Sequence, residues 1–175
     1  MARRASLDDK LAALRELRGR PLDAQEVAEL RKRLGDRSNL VVAAAAAIAG
    51  ENTLIELSKD LEAAFDRFLV DPLKDDKLCR AKTAIVQALD RIEHPGADVF
   101  LRAARHVQLE PVWGGSEDSA PPLRAAAIVA LARADGAGSL PLLVDALADP
   151  ARDVRIAAAS ALGAVGTEGA GLVLR

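Results

Sequence analysis

The chain has 175 residues, 24 Lys plus Arg against 26 Asp plus Glu for a formal charge of -2, and 50% hydrophobic residues with only 2% aromatic. That length suits a single domain with a sizeable core, and one Cys excludes both a disulfide framework and a multi-thiolate zinc site. A sequence pI near 5.8 argues against bulk affinity for nucleic acid or an anionic membrane.

Thirty-seven Ala and 26 Leu with no Tyr predict an all-α protein. Leu7, Leu11, Leu14 and Leu17 recur at helical spacing behind Ser6, an N-cap with Asp9 three residues on, so a first helix runs from about 7 to 18. Gly19-Arg20-Pro21 breaks it, and Asp23 with Glu26 opens a second helix that stops at Gly35. A nearly all-Ala helix at about 39 to 49 follows, half the length a bilayer span needs, and reads as a core helix. A fourth, at about 54 to 69, carries Leu54, Leu57, Leu61, Phe65 and Phe68, and Asp71-Pro72 ends it. Further helices are predicted at about 77 to 92, 98 to 106, 121 to 134, 139 to 148 and 151 to 165, and nothing reads as a strand. The basic start, Arg3-Arg4, meets Asp8 and Asp9 before any apolar stretch forms, so no secretory signal is expected and the cytoplasm is the expected compartment.

Short helices in pairs call for a repeat search, and one pattern recurs three times. Asp76, Asp118 and Asp149 each precede a cation by six residues, respectively Lys82, Arg124 and Arg155. Each cation is followed, six and seven residues later, by Ala88-Leu89, Ala130-Leu131 and Ala161-Leu162. The helix at 39 to 49 keeps only the apolar half, with Val41 at the cation position, as a degenerate first unit. Small residues on the shared face let helices approach closely, and stacked pairs bury a continuous core that one pair could not.

These columns resemble HEAT repeats, particularly the short bacterial type first associated with phycobilisome lyases. That unit reads roughly as a Leu-rich helix, a D-P turn, then V-R-x-x-A-A-x-A-L-G-x-[IV]-G. The matching residues are Leu140-Pro141-Leu142-Leu143, Asp149-Pro150, Val154-Arg155, Ala157-Ala158, Ala161-Leu162-Gly163 and Val165-Gly166. The resemblance implies a right-handed α-solenoid, an armadillo-like superhelix of about four helix pairs. It divides the single domain into a cap at about 6–20, repeats at about 24–50, 54–93, 98–135 and 139–166, and the start of a further repeat at 169–175. That start leaves the last full unit with an uncapped apolar face, so either more chain or self-association is expected to cover it. What the resemblance implies for function is a non-catalytic scaffold or adaptor that binds another protein or peptide, with no enzyme activity, cofactor or metal.

Lys82, Arg124 and Arg155 are candidate partner contacts if their column faces outward. The family resemblance implies instead that the Asp and Arg pair between neighbouring repeats and tie down helix N-terminal amides. The segment from Val107 to Pro122 breaks from the repeat and holds the single Trp. Trp113 and Glu117 are candidate partner contacts there, against the alternative that Trp113 folds back to plug the end of the apolar groove. The rival function is DNA binding or glycosylase-type repair through the N-terminal basic helices and the cation column. Residues 1 to 37 carry ten cations against seven acids, yet no aromatic residue interleaves with them to stack on a base. Cys79 reads as a small buried residue, with no nearby His or local motif to activate it.

Overall fold

The computed structural model describes residues 6–166, and the chain divides into two units, Met1–Ile92 and Glu93–Arg175. The expected further repeat at 169–175 lies outside the described residues.

In the first unit, the predicted caps are in place. Ser6 Oγ accepts from the Asp9 amide at 3.1 Å while the Asp9 carboxylate accepts from the Ser6 amide at 2.9 Å, which opens α1 (Leu7–Glu16). Asp23 and Glu26 repeat this reciprocal pair at the start of α2 (Ala24–Leu34). The Ala-rich helix α3 (Asn39–Glu51) is the centre of the unit, flanked by α1, α2 and α6 (Arg80–Arg91). Between α3 and α6 lie α4 (Ser58–Val70), entered through a 3-10 turn at Ile55–Leu57, and one turn of helix, α5 (Pro72–Asp75). Phe65, Phe68, Ile48, Leu61, Ile85 and Leu89 fill the core. Small side chains let α3 and α6 pack tightly. A Cβ on Gly50 would stand 2.9 Å from Ala88 Cα and 3.2 Å from Ala88 Cβ.

The second unit holds α7 (Ala97–Ala104), α8 (Pro121–Asp135), α9 (Leu140–Ala146) and α10 (Arg152–Val165). The pair α7 and α8 packs side by side, and α10 lies against both α8 and α9. Ile128 of α8 is buried with Leu143, Val154, Ala158 and Leu162. Residues 121–146 together are apolar enough for a membrane span by composition. They form two helices divided by a 3-10 turn at Gly136–Ser139, however, and Ile128 and Leu131 face the protein interior.

One expectation is overturned here. The segment after α7 contains two strands, β1 (Leu109–Val112) and β2 (Gly115–Asp118), paired antiparallel with Leu109 opposite Asp118 and Val112 opposite Gly115. Trp113 and Gly114 make the two-residue turn, with Gly114 at φ +90°, a conformation that costs glycine little and other residues much.

The two helical glycines predict opposite outcomes. Gly50→Ala forces the α3 and α6 backbones apart and is expected to cost about 1–3 kcal/mol. Gly163→Ala in α10 meets nothing within 4 Å and is expected to gain roughly 0.5–1 kcal/mol from helix propensity. Urea denaturation of the two variants checks both signs.

Candidate functional site

The three repeated aspartates do one job with different reach. Asp118 Oδ1 accepts the Ala120 amide at 3.0 Å, and Asp149 Oδ1 accepts the Ala151 amide at 2.8 Å, each closing a short turn just before a helix. Asp76 reaches further, because a 3-10 turn at Lys77–Cys79 separates it from α6. Its Oδ1 takes the Ala81 amide at 2.8 Å and its Oδ2 the Lys82 amide at 3.1 Å. The chain makes that reach with Leu78 and Cys79 both in the left-handed region, at φ 61° and 50°. Cys79 is buried there, as its sequence context predicts.

The cations complete the column from inside. Lys82 Nζ sits 3.2 Å from Asp76 Oδ2 and donates to the Phe68 carbonyl at 3.4 Å, with both ionic side chains at 0% exposure. Arg124 uses its whole fork. Nη1 donates to Asp118 Oδ2 at 2.6 Å and to the His106 carbonyl at 3.0 Å, while Nε and Nη2 hold the two Asp149 oxygens at 2.9 and 3.0 Å. Arg155 donates through Nη1 to the Asp149 and Pro150 carbonyls. The reading of this column as an outward binding stripe is therefore corrected for two members. Lys82 is fully buried and Arg124 is 4% exposed, and their charges are committed to internal partners. Arg155 alone is half-buried. In the apolar column, Ala88, Leu89, Ala130, Leu131, Ala161 and Leu162 are all buried.

One participant is not visible in the repeat pattern. Asn39, at the start of α3, donates to Asp76 Oδ1 at 3.2 Å and so links the degenerate first unit to the next aspartate without a charge. Val41, which sequence alignment puts at the cation position, is buried. The signal was available in an Asn at the first position of a helix, where polar side chains commonly face neighbouring backbone.

Burial pushes the Asp118 carboxyl up, but the Ala120 amide, the Arg124 guanidinium and the Gln108 amide outweigh it and hold the group below its ordinary value. Burial also opposes the Arg124 charge, and the Asp149 and Asp118 carboxylates more than restore it, raising its value further. These bonds root the hairpin. The Gln108 amide donates to Asp118 Oδ1 at 3.0 Å, the Ser119 amide to the Gln108 carbonyl at 2.9 Å, and Ser119 Oγ to Glu110 at 2.6 Å. At the far end Trp113 projects with 104% relative exposure, so its side chain does not plug the groove. Val107, Leu109 and Val112 are exposed on the same segment, and Glu117 is exposed on β2. Asp118, by contrast, belongs to the root of the hairpin.

Five of the N-terminal cations are paired. Lys10 bonds Asp36, Arg18 bonds Glu51, Arg20 bonds Glu26, Arg31 bonds Asp60 and Arg33 bonds Glu29. Among the described residues no three His, Cys, Asp or Glu side chains gather where they could hold a metal ion.

Two measurements test the column. Arg124→Ala leaves two carboxylates facing each other in a desolvated site and is expected to cost about 3–5 kcal/mol, whereas an isolated exposed ion pair such as Arg31 with Asp60 contributes about 1 kcal/mol or less. Because the folded Asp118 value is depressed, its contribution is present above the unfolded carboxylate value near pH 4 and is lost as pH falls through the lower folded value. Asp118→Asn should therefore be less stable at pH 7 and lose less stability between about pH 4 and pH 2 than the wild type, which melting curves across pH will show.

No curated protein matches the sequence. Residues 115–175 match the family model for HEAT repeats, a stretch that begins at β2 and takes in α8, α9 and α10. The match covers the Arg124 bridge and the two in-register units at 118 and 149, so this C-terminal part of the chain is similar to HEAT repeats.

Proposed function

We propose that the chain is a non-catalytic scaffold or adaptor module that binds another protein or peptide through the hairpin carrying Trp113. HEAT repeats are generally protein-interaction modules. The proposal adds the surface and its anchor, together with a stacking of about four pairs as a right-handed α-solenoid, supported by the recurring Asp, cation and Ala-Leu columns. The observation that carries it is an indole held wholly in solvent at the tip of a hairpin whose base is tied to a buried ion bridge. A bare indole that large costs hydration, and on burial of about 200 Å² it returns roughly 5 kcal/mol before ordering costs. The anchored base lowers those costs, because the partner meets a surface that is already ordered. Glu117 on β2 supplies a charged rim beside it. No reaction is assigned to the chain, and the cytoplasm is its proposed setting.

Trp113→Ala is the direct test. Stability should change by less than about 0.5 kcal/mol, since the side chain touches nothing that folding buries, while affinity for the partner falls by more than about 1 kcal/mol. Immobilised wild-type and Trp113→Ala proteins, compared for what each retains from an extract of the source cells, give the readout. An identical set retained by both would defeat the proposal. A gel shift on duplex DNA at physiological salt tests the rival class, and saturable binding there that disappears with the N-terminal cations would favour it.

A further inference from the structure

We infer that the outer edge of β2 receives the partner, which adds to the hairpin as a third strand through an extended segment carrying a lysine or arginine beside Glu117. The inference deepens the hairpin reading and rests on it. In a two-residue hairpin the residues flanking the turn, Val112 and Gly115, form a hydrogen-bonded pair, and such pairs recur at every second residue. The Ser119 amide, bonded to the Gln108 carbonyl at 2.9 Å, keeps that count. Gly115 and Glu117 therefore direct their backbone groups toward β1, whereas Ser116 and Asp118 direct theirs away from it. Among the described residues, the amides and carbonyls of Ser116 and Asp118 have no hydrogen-bond partner. They form a short open ladder of alternating donors and acceptors, the kind of edge that pairs with an extended chain. β1 offers no such set, because Pro111, opposite Ser116, has no amide hydrogen. Approach is open as well. Gly115, Ser116 and Glu117 are exposed, and a Cβ on Gly114 or Gly115 would meet nothing within 4 Å.

Charge selects the occupant. Glu110 and Glu117 stand directly opposite each other on one face of the ribbon, an unfavourable placement for two carboxylates. Glu110 is relieved by the Gln108 side-chain amide at 2.8 Å and by Ser119 Oγ at 2.6 Å, and Asp118 by Arg124. Glu117 has no ion pair or side-chain hydrogen bond among the described residues. A cation on an added strand, facing the same side as Glu117, supplies the missing counter-charge. A second copy of this chain is the wrong occupant, because the fullest antiparallel overlap of two β2 edges sets Glu117 against Glu117. The partner is therefore a different protein with a basic extended segment, and Trp113 at the adjoining tip adds apolar contact area to what the backbone pairing begins.

The probe is a short end-blocked peptide alternating lysine with valine, titrated into the isotope-labelled full chain and followed by amide chemical shifts. The expected result is saturable shifts centred on Ser116, Glu117 and Asp118. Affinity should fall about fivefold or more with Ser116→Pro, which removes one edge donor at the place where β1 already carries a proline, and about twofold or more with Glu117→Gln. Unchanged Gln108 and Ser119 amide positions in Ser116→Pro show that its hairpin is intact. Two changes to the peptide leave the protein untouched: methylating every backbone amide, or replacing lysine with glutamate, should abolish the shifts. Absence of shifts up to about 5 mM peptide overturns the inference, as does binding indifferent to Ser116→Pro or to amide methylation. Shifts at Ser116 that grow with protein concentration alone overturn it in favour of a second copy. Shifts confined to the Trp113 tip and lost in Trp113→Ala overturn the edge while leaving the anchor reading intact. Shifts at Ser116 to Asp118 that survive Trp113→Ala unweakened uphold the edge and remove the anchor.

Discussion

Much of the second unit depends on one guanidinium. Arg124 ties the end of α7, through the His106 carbonyl, to the base of the hairpin, through Asp118, and to the turn before α10, through Asp149. A planar cation with a fork on one edge and a further donor on the other can hold three chain segments in one plane, which an ammonium cannot. Burial makes the arrangement mutually dependent. Each carboxylate tolerates its loss of water because the arginine and a backbone amide replace it, so removing any member leaves the others uncompensated. The position of the hairpin is therefore a consequence of how α8 meets α10, and the exposed tryptophan inherits its placement from the core.

The first unit solves a similar problem with weaker parts. Lys82 offers a compact charge to Asp76 and a carbonyl contact to Phe68, while Asn39 supplies the link that a second cation would make. A carboxylate reaching across a 3-10 turn to cap α6 requires two consecutive residues, Leu78 and Cys79, in a conformation that side chains with a Cβ disfavour by roughly 1–2 kcal/mol each. The hydrogen bonds to Ala81 and Lys82 amides offset that strain. The same sequence column can thus be built with a fork or with a point charge, and only the fork reaches two aspartates.

The helices were legible because their signals are local. Ser6 with Asp9 and Asp23 with Glu26 are complete instructions for a helix start, and the Leu spacings that follow state which face is buried. The Asp and cation columns were legible as columns, but their direction was not. A lysine two residues into a helix can face either solvent or a neighbour, and only the packing of α6 on α3 decides it. Asn39 escaped because it makes the bond from a position two residues earlier than Val41, breaking the register by which the repeat was found. The hairpin escaped for a different reason. Four-residue strands are too short to show alternation, Pro111 argues against a strand, and neighbouring charges on Glu117 and Asp118 read as a loop. Val112-Trp113-Gly114-Gly115 did contain a two-residue turn, but a tryptophan beside glycines fits a packed plug as well as an exposed tip.

Pro111 also explains how such a tip is tolerated. The Ser119 amide bonds the Gln108 carbonyl, and counting by twos from that pair places the inward-facing positions of β1 at 110 and 112. Pro111, opposite Ser116, therefore turns its nitrogen outward, where any other residue would offer a hydrogen to an incoming strand. The outer edge of β1 is left with a missing donor midway along four residues, too interrupted to seed a ladder with a neighbouring molecule. A ribbon that carries Leu109, Val112 and Trp113 into solvent would otherwise invite strand-to-strand polymerisation. The proline closes that route while leaving the side chains at the tip available, so that crowded molecules meet through side-chain recognition and not through their backbones.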